Sequence, residues 1–148
     1  YAYKEEKDGA ITYKIYQPYS AFKWISNHNK TVHQGYTQLP DSGDLMLITK
    51  SLKDVMSLCD VAKIPSVGIQ NETVLVKTSV VDEYKDRFKK VICLFDNDSA
   101  GISLSFRYKH KYDLPFITIP YKYGCKDFSD LVKKYGADKS KEILKQLC

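Results

Sequence analysis

Residues 91–101 read Val91-Ile92-Cys93-Leu94-Phe95-Asp96-Asn97-Asp98-Ser99-Ala100-Gly101. Five apolar residues in succession, bounded by a polar turn, fit a strand buried on both faces. Two carboxylates one residue apart follow at its mouth, and the amphipathic run AGISLSFRYKHKY (100–112) then reads as a helix. A buried strand that empties into acidic residues and turns back as a helix is the repeating unit of an α/β sheet.

The same unit recurs on both sides. LMLIT (45–49) is an apolar run followed by SLKDVMSLCDVAK (51–63), where Leu52, Val55, Met56 and Cys59 share one helical face. PSVGIQ (65–70) predicts a second strand, and VDEYKDRFKK (81–90) a polar helix with Tyr84 and Phe88 on one side. PFITIP (115–120) predicts a fourth strand, and 128–136 and 139–147 closing helices, with Gly136 ending the first and Asp138 capping the second. The expected fold is therefore α/β, a parallel sheet of about four strands flanked by helices, a count read from periodicity. Right-handed crossovers place every strand's carboxyl end on one edge, where such sheets keep their ligand crevice. The residues just past the strands are Lys50 to Asp54, Gln70-Asn71-Glu72, Asp96-Asn97-Asp98 and Lys122 to Asp130.

Ahead of this domain (44–148) lies a β-rich segment (1–43). ITYKIYQPY (11–19) alternates apolar and polar residues, and Lys23-Trp24-Ile25-Ser26 reads as a second extended piece. Residues 27–43 are polar and turn-rich, so His28 and His33 read as surface residues, while His110 sits at a helix end where a cation suits the dipole. Trp24, Phe22, Tyr16 and Tyr19 either stack on bases or fill the core of a small sheet, and the core reading is preferred because small sheets need aromatic bulk. Lys14, Lys23 and Lys30 are placed to meet phosphates.

Composition narrows the function classes. The chain has 148 residues, 43% hydrophobic and 28% charged, as in a soluble globular domain, and no apolar run approaches a membrane span. Opening on Tyr1, it reads as a piece of a longer polypeptide. The net charge of +5 falls wholly in residues 75–148, which hold 15 Lys/Arg against 10 Asp/Glu. A basic half suits a polyanionic partner, although Arg107, Lys109 and Lys111, with Tyr108 and Tyr112, read more simply as an exposed helix face. Cys59, Cys93, Cys125 and Cys148 form no C-x-x-C pair, which argues against structural zinc; Cys59 and Cys93 read as buried hydrophobes, and a reducing cytoplasmic setting is expected.

The Asp96/Asp98 pair is the sharpest chemical signal. Two oxygen-only ligands at one strand mouth favour Mg²⁺ or Mn²⁺, which orients and neutralises phosphate during in-line displacement. The competing reading is a helix cap. An EF-hand fails, because Ala100 and Arg107 stand where its fifth and twelfth ligands belong. An aspartyl-nucleophile phosphatase places such a pair at the opening of its domain, not after the third strand.

With its order of motifs, the chain resembles a Toprim domain, most closely those of bacteriophage DNA primases and primase-helicases. The residues that carry this are the apolar strand before Lys50-Ser51-Leu52-Lys53-Asp54, then Phe95-Asp96-Asn97-Asp98-Ser99-Ala100-Gly101, then Gly124-Cys125-Lys126-Asp127-Phe128-Ser129-Asp130-Leu131. The resemblance implies Mg-dependent RNA primer synthesis from nucleoside triphosphates on single-stranded DNA. Asp54, Asp96 and Asp98 would be catalytic, and a helicase fused or associated. Lys122 and Lys126 flank the active edge and are expected to bind triphosphate, while Asp127 and Asp130 are expected to hold a further metal or to position Lys126, Asp130 reading equally as a first-turn helix carboxylate. The family's glutamate is Lys50 here and its glycine Ser51. A protonated lysine cannot ligate a metal. Either the site is inert and kept for binding nucleic acid or a helicase, or Glu72 supplies the missing carboxylate beside Asp96 and Asp98, or Lys50 contacts a phosphate. The last two together are preferred. A Toprim-type nuclease is a further alternative, with no tyrosine singled out as its nucleophile.

Overall fold

The computed structural model describes residues 2–27 and 29–148, so the reading of His28 lies outside the described residues. The chain opens with an antiparallel sheet of three strands, β1 (Ala2–Lys7), β2 (Ala10–Tyr16) and β3 (Trp24–Ser26). Strand β1 escaped the sequence reading, yet its signal is present: Asp8 and Gly9 both adopt positive φ (52° and 75°), the two-residue turn that matches strand twist and favours Asp-Gly.

The rest builds the parallel sheet. Strand β4 (Gly43–Thr49) leads into helix α1 (Leu52–Ser57), which continues as a widened π turn over 58–62 into β5 (Ser66–Gly68). Helix α2 (Thr78–Arg87), β6 (Phe88–Leu94), α3 (Ser99–Tyr112), β7 (Phe116–Ile117), α4 (Phe128–Tyr135) and α5 (Ala137–Leu147) follow. All pairings in the order β5-β4-β6-β7 are parallel. The expected four-stranded sheet is present, with two boundaries shifted. Lys89 and Lys90 belong to β6 rather than to the preceding helix, because Phe88 is buried as the strand's first residue. Gly136, not Asp138, caps α5, and Asp138 sits in its first turn.

Alternation along the strands explains why they read as unbroken apolar runs. Met46, Ile48, Val91, Cys93 and Phe95 face one core, closed by Val80, Val81, Tyr84, Leu104 and Tyr108 from α2 and α3. Leu47, Ile92 and Leu94 face the other, closed by Phe128, Leu131, Ile143 and Leu144 from α4 and α5. With both faces covered, the central stretches 45–48 of β4 and 91–94 of β6 are apolar throughout, and polar residues are left to the strand ends. All four cysteines are free thiols; Cys93 is buried and Cys59 only half-buried.

Two expectations for the N-terminal segment are overturned. Its aromatics do not form a buried core: Tyr19 and Phe22 (80% exposed) stand in solvent, and Trp24 is half-exposed with its ring 4.7 Å from that of the half-buried Tyr16. The sheet instead docks through polar groups. The buried Glu5 accepts from Thr37 N at 2.6 Å and from Gly35 N at 3.2 Å, and Lys7 pairs with Glu83. Nor is the stretch after β3 merely a surface loop. Val32, His33 and Gln34 are buried, and Gln34 pairs antiparallel with Gly68, extending the parallel sheet past β5.

His33 lies between the hydroxyls of Tyr84 and Tyr108, each 3.1 Å from a ring nitrogen. A neutral imidazole has one N–H and one bare nitrogen, so it donates to one hydroxyl and accepts from the other. Burial, aided by the nearby Lys7 charge, pushes the ring's pKa down to about 3. The unfolded chain therefore takes up a proton near pH 6.5 that the folded chain refuses until about 3. By linkage the contribution is intact above 6.5 and lost as pH falls through this window, an upper bound of about 5 kcal/mol. Thermal melts should show His33→Gln less stable than the parent at pH 7, with the deficit narrowing toward pH 4; a pH-independent deficit would contradict the buried neutral ring.

Candidate functional site

Pairing of Thr49 with Leu94 and of Thr49 with Gly68 brings the ends of β4, β6 and β5 side by side. Lys50, Asp96 and Glu72 therefore emerge on one edge. Helix α3 leaves this edge across the backbone of Asp96, so closely that a Cβ on Gly101 would fall 2.1 Å from the Asp96 carbonyl oxygen. Only glycine fits there. Asp98 is the N-cap of α3, its Oδ1 accepting from Gly101 N at 2.8 Å. The buried Asn97 donates from Nδ2 to the carbonyls of Ile119 (2.9 Å) and Cys125 (2.8 Å), and its N–H to that of Lys126 (3.0 Å). These bonds hold the 119–127 loop beside the Asp96 turn and deliver Lys126 and Asp127 to the edge.

The carboxylates that approach one another are Asp54, Asp96 and Asp127, with one oxygen of each within 4.8 Å of the others. The sequence expected Asp96, Asp98 and Glu72 to share an ion. Asp98 and Glu72 are instead turned to lysines: Lys126 Nζ lies 2.7 Å from Asp98 and 3.0 Å from Asp96, and Lys50 Nζ 2.6 Å from Glu72 and 3.1 Å from Asp96. The reason lies in the backbone. Asp98 caps α3 with Oδ1 and meets Lys126 with Oδ2, and Glu72 lies past β5, where it meets Lys50.

Asp54 is the most deeply buried member of the trio, ahead of the also buried Asp96. Ser51 caps α1 and donates to Asp54 Oδ2 at 2.6 Å, and Ser129 N donates to Oδ1 at 3.1 Å. Burial first, and then the neighbouring Asp127 charge, raises its carboxyl to about 6. Asp127 caps α4, and its pKa is lowered: burial opposes ionisation, but the bonds from Asp130 N, Ser129 and Lys53 outweigh it. Burial likewise opposes the Lys50 charge, and its bonds to Glu72 and Asp96 more than compensate, raising its pKa. The bond from Lys126, then that from Gly101 N, lowers Asp98. The hard oxygens of Asp54, Asp96 and Asp127 are of the type that suits Mg²⁺ or Mn²⁺, and a divalent ion there would take the place of ammonium contacts, since Lys50 and Lys126 meet Asp96 and Lys53 meets Asp127.

The edge faces the N-terminal sheet across a cleft of about 830 Å³ whose lining includes Tyr16, Trp24, Lys50, Lys53, Asp96 and Lys126. An adjoining recess of about 390 Å³ meets Lys14, Trp24, Gln70 and Glu72. Lys14 donates to the Gln70 carbonyl at 3.2 Å and sits 4.6 Å from the centre of the Trp24 ring. Lys23 and Lys30 are exposed and line neither cavity. Lys122 is exposed too, its ammonium 5.1 Å from the Tyr123 ring. Of the stripe read on α3, Tyr108 and Tyr112 are core residues; Arg107 points outward and donates to the Glu72 carbonyl at 2.7 Å. Sequence reasoning missed Asn97, Ser51 and Ser129 as supports and Asp54 as a ligand candidate. The Ser51-x-x-Asp54 spacing was a usable capping signal for one of them.

No family model matches the chain. It is 32% identical over 98 residues to a DNA primase of Listeria innocua, a match covering 59% of this chain and 15% of that protein. Its fold matches the DnaG primase catalytic domain solved bound to single-stranded DNA (TM-score 0.70, 16% identity, 93% of this chain and 52% of that one). It also matches a chain of the bacteriophage T7 lagging-strand DNA polymerase complex with primase domains, bound to an RNA/DNA hybrid and dTTP (TM-score 0.69, 20% identity, 99% and 75%).

The raised Asp54 carboxyl has a measurable consequence. Between the ordinary value of 3.8 and about 6 the folded state holds a proton that the unfolded state has lost. Stability from this group is present below that window and falls as pH rises through it, by at most about 3 kcal/mol. In chelator-treated protein, Asp54→Asn should gain on the parent in melting temperature from pH 4 to pH 7; an unchanged difference would mean that Asp54 ionises as a surface carboxylate does.

Proposed function

We propose that this chain, whose Toprim-type fold is that of primase catalytic cores, is the polymerising-core part of a DNA primase that makes RNA primers on single-stranded DNA with a divalent metal. One observation carries the reading: Asp54, Asp96 and Asp127 bring oxygens within 4.8 Å of one another, and Asp96 and Asp127 line one wall of a cleft with Asp54 buried behind them. The opposite wall presents an exposed tryptophan beside a lysine. A nucleotidyl-transfer site needs acidic metal ligands and a place for the template next to each other.

In this reading Asp54, Asp96 and Asp127 would hold Mg²⁺ or Mn²⁺, which supplies neutralisation of phosphate charge during in-line displacement. Lys126 and Lys53 lie at the cleft rim and offer point charges to a triphosphate. Lys126 is half-exposed, so it can exchange its carboxylate partners for phosphate without moving backbone. Trp24 offers a stacking face to a base and Lys14 a contact to the strand's phosphate. Similarity to the Listeria primase and to structures titled as bound to single-stranded DNA or to an RNA/DNA hybrid supports this choice of substrates. The chain spans 15% of that relative's length, so priming by this chain is part of the proposal.

A second reading, a non-catalytic Toprim module that binds nucleic acid, is favoured by one contact: the Lys50 ammonium rests on Asp96. Incubation with labelled ribonucleotides, single-stranded DNA and Mg²⁺ or Mn²⁺ separates the two. Oligoribonucleotides that fall at least about 100-fold in Asp96→Asn support the first reading, since the variant removes a metal ligand. DNA binding without turnover supports the second. In either case Trp24→Ala should weaken single-stranded DNA binding by roughly 5- to 100-fold. Lys14→Ala should reduce the salt dependence of binding by about one counterion. Unchanged binding in both variants would remove the N-terminal sheet from the nucleic-acid surface.

A further inference from the structure

The carboxylates at the edge fall into two groups that share Asp96. Asp54, Asp96 and Asp127 converge on one side. On the other, Glu72, Asp96 and Asp98 are not linked by mutual approach but by two ammonium groups, Lys50 between Glu72 and Asp96 and Lys126 between Asp96 and Asp98. The two lysines are not equivalent. The Lys126 side chain is 49% exposed and can swing into solvent, whereas that of Lys50 is 19% exposed. Both are held by two carboxylates, but Lys50 follows β4 directly and its ammonium bridge is the more enclosed of the two, which makes it the fixed part of the edge.

We infer that Lys50 is a tethered counter-cation: its ammonium fills the position between Glu72 and Asp96 that a second divalent ion would otherwise take, and so limits this chain to a single bound metal. The inference rests on the proposed metal reading of Asp54, Asp96 and Asp127 and deepens it. The physical basis is charge and space. A lysine ammonium carries one positive charge and three donors but accepts nothing, so where it contacts two carboxylates it satisfies them and repels a divalent ion at the same spot. Remove the charge while keeping the stem, and Glu72, Asp96 and Asp98 are left as three acidic groups with only the mobile Lys126 among them. The burial of Asp96 sharpens the effect, because its carboxylate is poorly compensated by water.

The test counts ions rather than turnover. Mn²⁺ is titrated into the chelator-treated 148-residue chain, with bound ion read by calorimetry and by loss of the free-ion paramagnetic resonance signal. The parent and Lys50→Arg should each take up one ion, and Lys50→Met should take up two, the second abolished by adding Glu72→Gln. Lys50→Ala reports the same count if Lys50→Met does not fold. One ion in the parent and still one in Lys50→Met or Lys50→Ala overturns the inference and leaves the metal reading of the trio standing. Two ions in the parent overturn it as well, again without harm to that reading. No ion bound to the parent or to any variant overturns both.

Discussion

Parallel pairing between β4 and β6 is the constraint on which the site depends. Six residue pairs from Gly43↔Phe88 to Thr49↔Leu94 fix the register, and in a sheet buried on both faces a slip by one residue would turn every apolar side chain to the wrong core. The register therefore fixes, through packing alone, that Lys50 and Asp96 leave the sheet side by side. Both cores vote for it: Met46, Ile48 and Cys93 against α2 and α3, Leu47, Ile92 and Leu94 against α4 and α5. An edge assembled this way presents its side chains from fixed positions, because the strands below them are held by the whole hydrophobic interior.

Above that scaffold the edge is governed by charge balance. Asp54, Glu72, Asp96, Asp98, Asp127 and Asp130 meet Lys50, Lys53 and Lys126, so acid outnumbers base. The molecule manages the surplus in three ways. Asp98 and Asp127 spend oxygens capping helices, where the N-terminal dipole favours them. Asp96 and Glu72 are bridged by ammonium groups. Asp54, least able to reach solvent, receives hydrogen bonds from Ser51 and Ser129 and still holds its proton more tightly than an ordinary aspartate. Each cap uses one carboxylate oxygen and leaves the second for a cation: Asp98 Oδ2 meets Lys126 and Asp127 Oδ2 meets Lys53.

The sheet, its order along the chain and the edge on which the residues past the strands gather were legible because they follow from periodicity, which is local. Which acids converge was not. Asp96 and Asp98 lie one residue apart in sequence, yet the tight exit of α3 over Asp96 at Gly101 turns Asp98 back onto its own helix. Asp127 is 31 positions away from Asp96 and arrives beside it only because Asn97 grips the carbonyls of Ile119 and Cys125. No spacing rule encodes that grip. The misplacement of His33 has a similar origin. A histidine among polar residues looks exposed, and only the distant hydroxyls of Tyr84 and Tyr108 make burial affordable. The exposure of Trp24 and Phe22 was missed for the opposite reason: aromatic strands usually pack on themselves, and here the sheet docks through Glu5, Lys7 and Lys14.

That mode of docking sets the mechanical character of the cleft. One wall is the edge of a sheet sandwiched between two apolar cores; the other is a three-stranded sheet attached by hydrogen bonds and ion pairs, each worth about 1 kcal/mol net. The polar attachments are nonetheless placed where they control the opening. Lys14 reaches the Gln70 carbonyl, while the Gln70 side chain donates to Val32 O at 2.6 Å and accepts from Asn29 N at 3.1 Å. Gln70 is thereby the joint between β2, the segment after β3 and the strand end that carries Glu72. The N-terminal sheet and the strand end that leads to Glu72 are thus joined through one buried residue, whose backbone carbonyl meets Lys14 while its side chain holds the segment after β3.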